Sequence, residues 1–411
     1  MRAFLFVLVA FVVLYAESPK SADEYVRLAL KANPDIRSVQ YAYKAALEEA
    51  PINSTLPDPT IMTEGRGIPT DLGNFEETRE WMFMLEQRIP FPGKLSHMQR
   101  KSEINAVEME FKSDDVRNQI IKWVEQTVYR IAYLDKALEI YQQQIDWMQR
   151  FEEIVKSRYT VGSATRQEWL KAGIELQHLL AERIELEERR TNQVRLLNRL
   201  LDRRLDHPVA VESLPSDLPT IPEQELDSLL THNNPALLAA QQRQRYAGVD
   251  VGLAKLSLYP DIALMGGLMV MNNMDDRLMG RISMTLPFLP WSGKDSGARI
   301  ERAKIMKSKS ILDYNYLREK LLQQLFNVSS SLHTIQKQKA LYDEEILQSY
   351  QQLIELSLAD YKTGGESYIA VIDNIRKLLK TQITYWSLIQ KYMHNRAELE
   401  YTLGSGIKGA S

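Results

Sequence analysis

The chain has 411 residues, a formal net charge of −3 at neutral pH and no cysteine. That balance leaves no basic field to attract nucleic acid, and a mean hydropathy of −0.33 excludes a bundle of membrane-spanning helices. It leaves open a membrane β-barrel, whose strands are short and only half apolar.

Residues 1–16 are the one strongly apolar run: Arg2 supplies a positive start, Ala3 to Tyr15 form the apolar stretch and Ala16 ends it. This reads as a secretory signal peptide, too short to span a bilayer comfortably. Leu14 stands where a small residue is preferred, so a retained anchor is the alternative reading. An exported protein without cysteine takes its stability from packing or assembly. It has no thiol to acylate, so any membrane attachment is expected from the fold.

Asn33-Pro34 opens the first helical pattern, as an N-cap followed by a first-turn proline. Strands are predicted over about 60–67 and 80–89. In the second, Trp81, Phe83, Leu85 and Ile89 alternate with Met84, Glu86 and Arg88. Pro69, Asp71, Gly73 and Asn74 mark the turn between them. After Pro90-Phe91-Pro92-Gly93-Lys94 a helix is predicted over about 95–158, with Val124, Val128, Ile131, Leu134, Leu138, Tyr141, Ile145, Met148, Phe151 and Val155 at spacings of three and four. Such a helix is roughly 90 Å long. Gly162 breaks it, and a second long helix is predicted over about 166–204.

Residues 206–222 carry Pro208, Pro215, Pro219 and Pro222, and read as an extended linker. Beyond it the same order returns. Asn234-Pro235 echoes Asn33-Pro34, Tyr259-Pro260-Asp261 echoes Leu56-Pro57-Asp58, and Pro287-Phe288-Leu289-Pro290-Trp291-Ser292-Gly293-Lys294 loosely echoes the first exit. Asp360-Tyr361-Lys362-Thr363-Gly364 echoes Arg158-Tyr159-Thr160-Val161-Gly162. Strands are predicted over about 262–271 and 277–287, with Asn272, Asn273, Asp275 and Asp276 between them, and long helices over about 296–361 and 368–403. Four matches in order at nearly one offset are an internal duplication, with repeats over 17–205 and 223–404 and a flexible tail over 405–411. The fold class expected is mainly α with a small β part: duplicated long antiparallel helical hairpins plus four strands.

Four strands cannot close a membrane-spanning barrel, for which roughly eight is the smallest usual number. Open edges are not tolerated in lipid. If these strands enter a membrane, several chains must pool them, and three copies would supply twelve.

The Asn-Pro helix starts, paired strands, Pro-Phe-Pro-Gly-Lys exit and Arg-Tyr-x-x-Gly-like hairpin turns together resemble the TolC family of outer-membrane efflux proteins, over about residues 21–404. The resemblance implies a homotrimer with a twelve-stranded barrel in outer-membrane lipid and a helical tunnel (an α-barrel) through the periplasm. It implies docking on a periplasmic adaptor (membrane fusion) protein and an inner-membrane pump, which supplies the energy for a passive duct. Val161-Gly162-Ser163-Ala164 and Thr363-Gly364-Gly365-Glu366 match the family's tunnel-tip motif, where the adaptor docks; a helix-ending glycine alone would also explain each turn. Asp373 falls at a position where family members carry an acidic gate, three copies of which would attract cations. Ala370 occupies the other acidic position, a departure from the pattern, and Lys377 is a candidate partner for Asp373.

Methionines crowd the strand region: Met62, Met82, Met84, Met265, Met269, Met271, Met274, Met279 and Met284. They admit a soft-metal path, slightly favoured by an exit motif resembling that of heavy-metal-type members, or flexible apolar fill. No metal site is assigned to them and no cofactor is expected. Trp81, Phe83, Tyr259, Phe288 and Trp291 lie near predicted strand ends and suit an interfacial girdle or core packing. The six histidines are scattered without ligand spacing, and no nucleophile elbow or complete phosphate loop occurs. Enzyme activity is not expected. The competing reading is a periplasmic coiled-coil scaffold without a channel, and the strands discriminate: a duct needs one apolar face and one polar face. Cargo is not legible.

Overall fold

The computed structural model describes residues 18–68, 70, 78–218, 226–272, 274–291, 293–342 and 344–404. The signal peptide expected over 1–16, the turn residues Pro69, Asp71, Gly73, Asn74 and Asn273, the linker residues Pro219 and Pro222, and the tail expected over 405–411 lie outside them. The elements run α1 (Ala22–Ala32), α2 (Pro34–Ser54), β1 (Thr60–Arg66), β2 (Glu80–Ile89), α3 (Lys94–Thr160), α4 (Arg166–Leu200), α5 (Leu226–Asn233), α6 (Pro235–Leu256), β3 (Ile262–Met271), β4 (Arg277–Met284), α7 (Gly293–Leu341), α8 (Glu344–Thr363) and α9 (Tyr368–Leu403). No helix among the described residues is long and apolar enough to cross a membrane.

The chain forms two compact units, each drawing on both sequence halves. One comprises the described residues within 1–34, 117–227 and 323–411, the other those within 35–116 and 228–322. In the first unit, the apolar stripes of α3, α4, α8 and α9 close over a core that includes Ile145, Met148, Phe151 and Val155, with Leu176, Ile354, Val371 and Ile375. The predicted spacing on α3 therefore names the buried face. Residues 206–218 of the linker are not helical. They are held in place: Val211 bridges to Lys20, the Tyr25 hydroxyl donates to the Ala210 carbonyl at 2.8 Å, and Leu214 is buried.

In the second unit, β1-β2-β3-β4 form one antiparallel sheet in sequence order. The two predicted hairpins are joined through β2 and β3, with Glu80 opposite Met271 and Ile89 opposite Ile262. The echoed motifs pack against each other. The Asp261 carboxylate accepts from the Phe91 amide and the Lys94 ammonium, both at 2.7 Å, and Phe91 stacks on Tyr259 with centroids 4.5 Å apart. Asn234 caps α6 as expected, accepting from the Leu237 amide at 2.9 Å.

Three predicted boundaries move. The helix expected over 296–361 is carried by α7 and α8. The Tyr342 amide bonds the Lys339 carbonyl, the tighter i→i−3 closure of a helix end, and the Tyr342 ring packs against a cluster around Leu214 and Tyr385. Helix α4 stops at Leu200 because Asp202 takes a left-handed φ of 53°, and the Arg203 amide then closes on the Asn198 carbonyl. β4 stops at Met284, one backbone bond from Thr285 to Asp261 following it, and Pro287 lacks the donor to continue.

Candidate functional site

The two hairpin turns of the first unit are near copies. After α3 the Gly162 amide bonds the Tyr159 carbonyl and the Ser163 amide reaches back to Arg158 at 2.7 Å. After α8 the Gly364 amide bonds Tyr361 and the Gly365 amide reaches back to Asp360 at 2.8 Å. Gly162 and Gly364 have φ of 77° and 89°, a left-handed conformation that a side chain would strain. Each following helix is capped: Thr165 and Glu168 form a reciprocal capping box on α4, and the Ser367 hydroxyl accepts from the Ala370 amide on α9.

Arg158 ties these turns together. Its guanidinium donates to the carbonyls of both Ser163 and Tyr361 and lies over the Tyr361 ring, 4.5 Å from the centroid. Phe151 meets Tyr361 edge-on and stacks on Tyr368 behind them. Burial pushes the Tyr368 phenol up to about 12. The turn residues Val161, Gly162, Ser163, Thr363, Gly364 and Gly365 are exposed, and Ala164 is half-buried. Val161 at 73% and Ile369 at 75% present bare apolar side chains beside the turns.

Asp373 lies on α9, half exposed, paired with Lys377 at 2.6 Å. Its neighbour Arg376 makes the contact that sequence reasoning missed, a two-pronged pair with Glu175 of α4 at 2.7 and 2.5 Å. The Arg376 hydrogen bond holds the Glu175 carboxyl below the usual carboxylate range against the opposing effect of its partial burial. Lys171, Glu175, His178, Asp373 and Arg376 all face one cleft of about 550 Å³. Neither the Arg158–Tyr361 contact nor the Glu175–Arg376 pair carries a local signal, because the partners come from different halves of the chain.

The sheet of the second unit has two faces of opposite character. Register puts Ile61, Trp81, Phe83, Leu85, Leu268 and Ile282 on one face, which carries no charged residue. The other carries Glu64, Arg66, Glu80, Glu86, Arg88, Arg277 and Arg281. On the apolar face Phe83 and Leu85 are about half exposed and Leu278 is 89% exposed. Of the expected girdle, Phe83 stands in mid-strand and Tyr259 packs on Phe91, while Phe288 and Trp291 are exposed beyond β4. No group of histidine, aspartate and glutamate among the described residues could hold a metal ion.

The family model for outer membrane efflux proteins matches residues 25–203 and 226–405. Nodulation protein T of Rhizobium leguminosarum bv. trifolii is 22% identical over 67% of this chain and 60% of its own length. The cation efflux system protein CusC of Escherichia coli is 22% identical over 44% of this chain and 41% of its own length. The alignments thus span less than two thirds of these curated relatives. The outer-membrane channel OprN shares the fold, with a TM-score of 0.83 at 15% identity over 94% of this chain and 90% of that one. The chain belongs to the outer membrane efflux protein family and is a protein of the outer membrane.

Proposed function

We propose that the protein is a passive exit duct, three copies pooling twelve strands into one barrel and docking on a periplasmic adaptor and an inner-membrane pump. The observation that carries this reading is the two-faced sheet. Its uncharged face, with Phe83, Leu85 and Leu278 exposed, fits lipid, and its charged face fits a water-filled lumen. β1 and β4 are its edges, and lipid leaves no edge open. A periplasmic scaffold would leave that apolar face in water.

The test is extraction in detergent, followed by mass determination and single-channel recording in planar bilayers. Trimers that conduct support the duct; soluble monomers without conductance overturn it.

The adaptor would meet the turns Val161-Gly162-Ser163-Ala164 and Thr363-Gly364-Gly365, where exposure and the apolar side chains of Val161 and Ile369 favour a helical partner. Asp373 would serve as the gate, with Lys377 partly neutralising it and the Glu175–Arg376 pair holding α9 against α4. Asp373→Ala should then raise conductance or weaken cation block, and no change in either removes it from the gate.

A further inference from the structure

Seven of the nine strand-region methionines fall on the charged face of the sheet; Met284 lies on the apolar face and Met274 in the β3–β4 turn. One row across the strands reads Met62, Met84, Gly267, Met279, and the next reads Glu64, Met82, Met269, Arg277. Directly opposite side chains stand about 5 Å apart at Cβ, so Met62 with Met84 and Met82 with Met269 form two adjoining thioether pairs. Gly267 completes the arrangement. A Cβ there would meet the Phe83 carbonyl oxygen at 2.2 Å and the Met84 Cγ at 2.9 Å, so the Met84 side chain occupies space that only glycine leaves. Met82, 1% exposed, is buried against the sheet.

Flexible apolar filling does not account for the segregation. Met82 and Met84 are buried, but Met62, Met265, Met269, Met271 and Met279 on the same face are only half-buried, and the opposite face carries one methionine among Ile, Leu, Phe and Trp. Nor do the carboxylates of this face stand apart from cations: Glu64 is paired with Arg66 and Glu86 with Arg88, and Glu80 lies directly opposite Arg66. Thioethers without thiolates or open carboxylates select soft monovalent ions.

We infer that Met62, Met84, Met82 and Met269 form a binding site for a soft monovalent metal ion, Cu(I) or Ag(I), on the lumen face of the sheet. The inference rests on the duct reading, which makes this face line a water path. Binding is read in detergent and conductance in bilayers, so the two fail separately.

The experiment is peroxide footprinting of the purified full chain with and without Ag(I), reading sulfoxide at each methionine by peptide mass spectrometry. Silver should protect the half-buried Met62 and Met269 about tenfold more than the exposed Met274 and Met284, since thioethers favour soft ions, and Zn(II) should protect none; the buried Met82 and Met84 are read through the variants. The double variants Met62→Leu with Met84→Leu, and Met82→Leu with Met269→Leu, keep side-chain volume. Each should lower Ag(I) affinity while conductance in potassium chloride stays at the wild-type level. Equal protection of Met62, Met269, Met274 and Met284 under silver, equal Ag(I) affinity in wild type and variants, or protection by Zn(II) would overturn the site. Any of these with conductance intact leaves the duct standing, whereas absent conductance would sink the duct itself.

Discussion

The helical core around Phe151 and the four-stranded sheet differ in how much of their physics one chain completes. Four helices bury Met148, Phe151, Val155 and Val371 entirely, and the turns beside them are closed by the chain's own amides and by Arg158. The sheet leaves a whole apolar face and both edges to something else. One region is finished by folding; the other, in the duct proposed above, would be finished by lipid and further copies. Mutations that unfold the chain are therefore expected to differ from mutations that only keep it out of the membrane.

The largest effect belongs to the finished core. Phe151→Ala empties a fully buried site and should cost about 3–5 kcal/mol of stability, measurable by denaturant unfolding. A cost near zero would mean that the core is completed only in the assembly. Next comes Leu268→Arg in mid-strand on the apolar face, expected to cost about 2–4 kcal/mol of membrane insertion, read as the fraction recovered in the outer membrane. Met279→Arg on the opposite face should leave that fraction close to wild type, and equal losses would erase the distinction between the faces.

Breaking the Glu175–Arg376 pair is a smaller change, since Arg376 is largely exposed. Arg376→Ala should cost under about 1 kcal/mol. The folded Glu175 carboxyl is held below its ordinary value of 4.5, so its contribution is present above that value and is lost as pH falls through the depressed folded value. Unfolding curves of wild type and Arg376→Ala should therefore converge in acid, and a gap that persists there would contradict the assignment. The smallest effect is Lys377→Ala, which frees Asp373 and should raise cation selectivity in single-channel recordings with no change in fold.

Much of this comparison is legible in the sequence, for one physical reason: periodicity is a local signal. The three-and-four spacing of Ile145, Met148 and Val155 announces a buried helix face, and the alternation of Trp81, Phe83 and Leu85 announces a two-faced strand. Gly162 and Gly364 mark their turns because only glycine takes those φ values without strain. What the sequence hides is the polar stitching. Asp261 clamping Phe91 and Lys94, Arg158 bracketing two turns and Glu175 gripping Arg376 all join residues far apart in the chain. Asp202 ends α4 in a conformation where glycine or asparagine is the usual signal. The Tyr342 break depends on where its ring finds a packing site, which no local pattern records.

Completion of the sheet by other copies of the same chain is open to a direct test. Because the chain has no cysteine, introduced thiols report cleanly. Thr63→Cys on edge strand β1 should be combined in turn with Leu278→Cys, Gly280→Cys and Ile282→Cys on edge strand β4, and the membrane-extracted protein treated with a short bifunctional thiol reagent. At least one combination should yield a covalent ladder ending at three chains. Monomers alone from all three combinations would contradict it.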